Sequence, residues 1–375
     1  MLMQVETRAL RKQAATSSLT VTDITAQAAK LEAFDGHECI WLGRDEERGL
    51  TAIVAIHDTR LGPALGGTRV WPHETFDAAL TDALRLSRGM TYKAAVANLP
   101  LGGGKAVIWA DPARDKTPQL LDAYAEMLAQ LDGQYFTAED VGLSLADADY
   151  LRERARNVTG TTKGGSLNPS PVTAHGVYLG LKAAFAWRNG HDDLTGVRIA
   201  VQGLGSVGWA LCERLRDDGA KLIVSDINEL RVAKARKELG AETTTPDAIL
   251  AAEADIFAPC ALGAVLSAET IPLLQAGIVA GAANNQLAGH DDAKLLMDRG
   301  ILYAPDYVIN AGGLINVAGE LDPDGYDRER VMARLPEIPR TLTDIFARAE
   351  KQGRPTNDVA REIAEERLTS ARPAA

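Results

Sequence analysis

Val197-Arg198-Ile199-Ala200-Val201-Gln202-Gly203-Leu204-Gly205-Ser206-Val207-Gly208 is the run whose reading decides the fold. Its first half is apolar and β-branched, which reads as a buried strand, and Trp209 to Leu215 continues as a helix. Between them the glycines fall at the G-x-G-x-x-G spacing of a dinucleotide-binding turn. Gly203 permits the tight turn, Gly205 lets backbone approach a pyrophosphate, and Gly208 lets helix and strand pack closely. The helix start, through Leu204, Ser206 and Val207, offers amide donors and a positive dipole end. Eighteen residues past Gly208, Asp226 closes the strand Lys221 to Ser225. A carboxylate there accepts from both adenine-ribose hydroxyls and repels a 2′-phosphate, so NAD is expected rather than NADP. The competing reading is a Rossmann domain that has lost its ligand.

Outward from this run, strands and helices alternate. Helices are expected over Val172 to Trp187, Ser206 to Asp218 and Glu229 to Leu239. Strands are expected at Asp255 to Phe257, Ile278 to Gly281 and Ile301 to Ala304. That is the signature of a parallel, doubly wound sheet. Upstream, Leu50 to Ile56 reads as a strand, Thr75 to Arg88 and Pro118 to Leu131 as helices, and Tyr135 to Thr137 as a short strand. Ala94 to Ala97 and Ala106 to Trp109 read as strands flanking a glycine turn. Thr159 to Pro171, rich in Gly, Pro, Ser and Thr, is the expected domain junction. The fold class is therefore α/β with two domains. Residues 31–165 form the first domain, and residues 166–339 a Rossmann domain. Residues 1–30 form a flexible extension, with a transit peptide as the alternative given Arg8, Arg11 and Lys12. The helical segment 340–375 packs back on the first domain.

The 375 residues carry a net charge of −11, which argues against a nucleic-acid binder. No apolar run is long enough to span a bilayer. Cys39, Cys212 and Cys260 are too far apart for a disulfide framework or a zinc site, which is cytoplasmic usage, and no metal is expected.

Leu99-Pro100-Leu101-Gly102-Gly103-Gly104-Lys105-Ala106-Val107-Ile108 is the second informative run. Three glycines clear side chains from beside Lys105, and the apolar flanks bury it, which lowers a lysine pKa towards neutrality. Lys93, in Gly89-Met90-Thr91-Tyr92-Lys93, lies twelve residues earlier, and two nearby ammoniums depress each other. One lysine is suited to hold a carboxylate and the other to move a proton; the alternative for each is a solvated surface charge. Asp140, in Thr137-Ala138-Glu139-Asp140-Val141-Gly142, reads as an acid at a strand end or as a turn aspartate. The run Gly281-Ala282-Ala283-Asn284-Asn285-Gln286-Leu287 reads as amides on the ligand edge of the sheet or as a polar turn.

Together these strings resemble the amino acid dehydrogenase superfamily of glutamate, leucine, phenylalanine and valine dehydrogenases, over roughly residues 35–320. The resemblance also rests on Leu61-Gly62-Pro63-Ala64-Leu65-Gly66-Gly67-Thr68-Arg69, Asn168-Pro169-Ser170-Pro171-Val172-Thr173, Ala258-Pro259-Cys260-Ala261-Leu262-Gly263 and Tyr303-Ala304-Pro305-Asp306-Tyr307-Val308-Ile309-Asn310-Ala311-Gly312-Gly313. The leucine branch is the most similar. The resemblance makes residues 31–165 the substrate-binding, catalytic and oligomerisation domain. The resemblance implies that Lys93 pairs with the substrate carboxylate, helped by Gly66, Gly67, Met90 and Asn285. It makes Lys105 the activator of water and Asp140 the proton shuttle to the amino group. It puts Thr173, Cys260, Ala261, Asn284 and Asn310 on the cofactor side. Leu65, Ala138, Leu314 and Val317 would line an apolar side-chain pocket, with Leu314 bulkier than the valine usual in leucine enzymes. The implied reaction is reversible NAD-dependent oxidative deamination of leucine, valine or isoleucine to the 2-oxo acid and ammonia, in a cytoplasmic homo-oligomer between dimer and octamer. An aromatic amino acid substrate is the alternative within the family, and a silent NAD- or amino-acid-binding sensor the alternative outside it.

Overall fold

Alternation along Leu50–Asp58 sends Ile53 and Ala55 to one side of a sheet and Val54 and Ile56 to the other, and both sides are buried. A computed structural model, describing residues 18–131, 133–289 and 291–371, shows what covers them. The N-terminal unit runs β1 (Thr20–Asp23), α1 (Thr25–Ala28), β2 (Cys39–Asp45), β3 (Leu50–Asp58), β4 (Ala64–Leu65), β5 (Thr68–Val70), α2 (Phe76–Val96), β6 (Gly102–Ile108), α3 (Pro118–Gln130), β7 (Tyr135–Phe136) and α4 (Leu145–Arg152). Its sheet has the order β1-β2-β3-β6-β4-β7, with β5 also against β6. β1, β2, β3 and β6 pair antiparallel; β4 and β5 run parallel to β6. Helix α2 packs Leu80, Ala83 and Leu84 on the Ile53 and Val107 face, while α3 packs Leu120, Tyr124 and Leu128 on the Val54 and Ile108 face. Lys105 has the parity of Val107 and so emerges on the α2 side.

Three expectations are corrected here. The glycine run is not a turn but the first half of β6, every residue of which is buried. Its glycines serve close approach: a Cβ on Gly104 would lie 2.7 Å from the Tyr135 ring, and one on Gly103 2.5 Å from the Ser87 carbonyl oxygen. Ala94 to Ala97 is not a strand. It completes α2, whose buried face continues through Thr91, Ala94, Ala95 and Val96 before Asn98 turns the chain at φ +54°; alanine favours helix wherever packing allows it. The extension expected over residues 1–30 lies outside the described residues up to 17, but from Thr20 the chain is folded, with β1 on the sheet edge against β2.

The second unit runs α5 (Ser170–Asn189), β8 (Arg198–Gln202), α6 (Ser206–Asp217), β9 (Lys221–Ser225), α7 (Glu229–Leu239), β10 (Glu242–Thr243), β11 (Ile256–Pro259), β12 (Ile278–Val279), α8 (Asp292–Asp298), β13 (Leu302–Tyr303), α9 (Asp306–Ile309) and α10 (Gly312–Ala318). All its strands are parallel, in the order β10-β9-β8-β11-β12-β13. The order reverses between β8 and β11, so the crevice for a ligand opens beyond their C-terminal ends, at Gly203 and Cys260.

Then follow α11 (Arg328–Arg334), α12 (Glu337–Gln352) and α13 (Thr356–Ser370), with Gly353 in a left-handed cap (φ +63°) and Pro355 starting the last helix. The expected fold-back needs one correction. Helix α13 packs on α2, but α12 packs on α5 and α9 of the Rossmann unit. Both reach the end of α2: Thr341 donates to the Val96 carbonyl, and Arg367 donates to the Ala95 and Val96 carbonyls at 2.7 Å each. The Ala95 carbonyl also accepts the Asn98 N–H at 3.0 Å, so these side chains supply donors to Val96 and reinforce Ala95 at a helix end that is otherwise short of them. Among the described residues no helix is long and apolar enough to cross a membrane.

Candidate active site

Lys93 in the last turn of α2 and Lys105 on β6 enter one cleft of about 430 Å³ between the two units. The N-terminal wall is Leu65, Gly66, Gly67, Met90, Ala138, Glu139 and Asp140; Pro169, Asn284, Gly313, Leu314 and Val317 close the other side. Lys105 is 4 % exposed, and burial pushes its ammonium down to about 7, with the positive charge of Arg69 acting the same way. Its Nζ contacts the Asp140 carboxylate. Burial also pushes Lys93 down, to about 8, against the upward pull of Asp306. Two amines able to change protonation near neutral pH therefore share one cleft with the Glu139 and Asp140 carboxylates.

Local structure fixes these groups. Asp140 follows β7, and its Oδ1 accepts the Val141 N–H at 2.6 Å, which leaves Oδ2 for Lys105. Gly67 packs under this loop, where a Cβ would stand 2.7 Å from the Glu139 carbonyl oxygen. Beneath Gly66 lies a buried hydroxyl network: Tyr135 donates to the Gly66 carbonyl at 2.6 Å, and Thr68 bonds both Thr137 and Tyr124 at 2.5 Å. Arg69 is held by Asp82, with Nη1 donating to its two oxygens at 2.9 and 3.2 Å.

The cofactor side has the shape a dinucleotide requires. Gly203 takes φ +97°, and a Cβ there would meet Ala261 at 2.9 Å, whereas nothing stands within 4 Å of a Cβ on Gly205, so the loop face is open for a pyrophosphate. Gly205 precedes α6, whose first amides face that opening. The Asp226 side chain is only 6 % exposed; its oxygens accept the Leu204 N–H at 2.6 Å and the Asn228 N–H at 2.7 Å, and each retains an acceptor site for a ribose hydroxyl. The Gln202 Oε1, buried at the end of β8, has no partner and faces the same crevice end. These residues fit a nicotinamide dinucleotide. Asn310 donates to the Ala282 carbonyl at 3.1 Å and to Asn284 Oδ1 at 2.8 Å, while Thr173 donates to the Pro169 carbonyl at 3.0 Å and abuts Gly313. Burial pushes the Cys260 thiol up to about 11, which makes it wall rather than nucleophile.

Most of the expected site residues thus meet in this cleft or along its cofactor edge. Asn285 does not: the positive φ of +49° at this residue turns it into a neighbouring cleft with Arg85, Arg88 and Tyr92, and Asn284 lines the catalytic one instead. The sequence reading passed over Arg69, Asp82, Glu139, Pro169, Asp306 and Gly313. Most stand inside the quoted strings, but nothing local says that Asp306 faces Lys93 or that Asp82 of α2 holds Arg69.

The chain is similar to known proteins in sequence and in fold. Residues 40–157 match the family Glu/Leu/Phe/Val dehydrogenase, dimerisation domain, and residues 224–374 match Glutamate/Leucine/Phenylalanine/Valine dehydrogenase. The chain is 49 % identical over 346 residues to a leucine dehydrogenase of Geobacillus stearothermophilus, covering 92 % of this chain and 94 % of that one. It is 46 % identical over 342 residues to a valine dehydrogenase of Streptomyces virginiae, covering 90 % and 95 %. Among solved structures, an L-tryptophan dehydrogenase from Nostoc punctiforme superposes with a TM-score of 0.80 at 46 % identity, covering 90 % of this chain and 97 % of that one.

Proposed function

The chain belongs to the Glu/Leu/Phe/Val dehydrogenase family, and on that premise we propose that it carries out the NAD-dependent, reversible oxidative deamination of leucine, valine and isoleucine. The observation that carries this reading is the convergence of Lys93, Lys105 and Asp140 in a cleft whose far wall is the ligand edge of the Rossmann sheet.

The bound nicotinamide supplies the hydride acceptor. The protein does the rest. Lys93, charged, holds the substrate carboxylate. Loss of hydride from Cα leaves an imine; neutral Lys105 takes a proton from water, whose oxygen attacks that carbon. Asp140 relays that proton from Lys105 to nitrogen; as ammonia departs, the new hydroxyl gives its own proton to the freed Lys105 amine and its oxygen becomes the carbonyl of the 2-oxo acid. Closure of the two units around the cleft excludes bulk water and strengthens these charge contacts.

The acid at Asp226 favours NAD over NADP, since a 2′-phosphate would meet its charge. Leu65, Ala138, Leu314 and Val317 suit a branched aliphatic side chain. One methylene is worth only about 1–3 kcal/mol in such a wall, so the three substrates should differ modestly. An aromatic substrate is the second reading, supported by the likeness to L-tryptophan dehydrogenase; the bulk of Leu314 opposes it. The match to a dimerisation domain supports a homo-oligomer, and three free cysteines suit a reducing cytoplasm.

NADH formation against a panel of L-amino acids, followed by the absorbance of the reduced nicotinamide at a pH between the Lys105 value of about 7 and the Lys93 value of about 8, tests the reading. Leucine, valine and isoleucine should turn over well, phenylalanine and tryptophan poorly. Lys105→Ala should abolish turnover while NAD still binds. A variant that kept near-normal kcat would remove Lys105 from the mechanism.

A further inference from the structure

Glu139 lines the substrate cleft beside Asp140, and the steps above leave it without a task. Its carboxyl is half-buried, and burial is the single influence on its acidity, in the upward direction. Among the described residues its carboxylate has no hydrogen-bond or ion-pair partner to offset that desolvation. The two cations of the cleft are otherwise engaged: Lys105 with Asp140, and Lys93 near Asp306. The wall around it is apolar, from Leu65 and Ala138 on one side to Leu314 and Val317 on the other. A partly desolvated carboxylate with no counter-charge resists any second carboxylate brought into the same space, because field lines are poorly screened there.

We infer that Glu139 is a specificity-determining residue that excludes substrates with acidic side chains. Dicarboxylic 2-oxo acids present the same reacting end as the neutral aliphatic ones and would dock on Lys93 equally well. Apolar walls alone discriminate weakly, so a repulsive element is the means of refusing them. The inference rests on the cleft being the amino acid site proposed above.

The experiment uses the full-length protein with NADH and ammonium. It measures kcat/KM for 4-methyl-2-oxopentanoate and for 2-oxoglutarate, and the competitive inhibition constant of 2-oxoglutarate against the first. Glu139→Gln keeps the shape and removes the charge; Glu139→Ala serves if the amide disturbs the loop, and thermal melting shows that each variant folds. The preference for the neutral over the acidic substrate should fall at least about tenfold in both, with 2-oxoglutarate binding correspondingly tighter. An unchanged preference overturns the inference. So does an equal loss on both substrates, which would assign Glu139 to the chemistry. A wild-type protein that reduces neither acid defeats the proposed function itself, a different and recognisable failure.

Discussion

Gly103→Ala is the sharpest probe of how the two lysines are spaced. A Cβ at this position would stand 2.5 Å from the Ser87 carbonyl oxygen and press on the Thr91 amide, both backbone groups of α2. Ordinary contact needs about 3.5 Å, so α2 must retreat from β6 by roughly an ångström. Lys93 rides on α2 and Lys105 on β6, so their separation changes by that amount. A misplacement of this size costs about a hundredfold in rate, and the overpacking costs about 3 kcal/mol of stability. The control is Gly89→Ala on the same helix, where nothing lies within 4 Å of the new methyl. That change should gain about 0.5–1 kcal/mol, because glycine is a poor helix residue. Urea melts give the stabilities, and kcat/KM with leucine gives the rates. Gly103→Ala within threefold of wild type would refute the claim that this strand–helix contact sets the site.

Two further predictions concern charge. With Lys105 pushed down to about 7 and Lys93 to about 8, deamination kcat/KM should climb as Lys105 loses its proton and fall as Lys93 loses its own. Asp306 holds Lys93 up, so Asp306→Asn should move the falling limb to lower pH; a pH–rate profile with that limb in place would discard the pairing. Asp226→Gly should weaken NAD binding and admit NADP, since Arg231, 3.7 Å from the carboxylate, is freed to meet a 2′-phosphate; unaltered coenzyme preference would contradict the ribose assignment.

The Rossmann unit was legible because its strands are short apolar runs closed by turn residues, and Lys221–Ser225 and Glu229–Leu239 fall where the periodicity puts them. Gly102 to Gly104 misled because glycine usually marks a turn, whereas here it marks contact with α2 and with Tyr135, elements whose nearness no local pattern announces. Ala94 to Ala97 misled because a short apolar run does not distinguish a buried helix end from a strand. In the catalytic cleft the motif strings supplied Lys93, Lys105 and Asp140. That Asn284 lines this cleft and Asn285 its neighbour goes with the backbone angle at residue 285, which no sequence pattern announces.

Arg367 and Thr341 complete the carbonyl end of α2 across 272 and 245 residues of chain. During synthesis the N-terminal sheet and its covering helices leave the ribosome long before the groups that finish that helix. The turn bearing Lys93 therefore waits for Thr341 and Arg367, with the Val96 carbonyl left to water and the Ala95 carbonyl held only by the Asn98 N–H. A nascent chain halted short of residue 367 would carry Lys93, Lys105 and Asp140 and still lack the guanidinium that caps the end of α2.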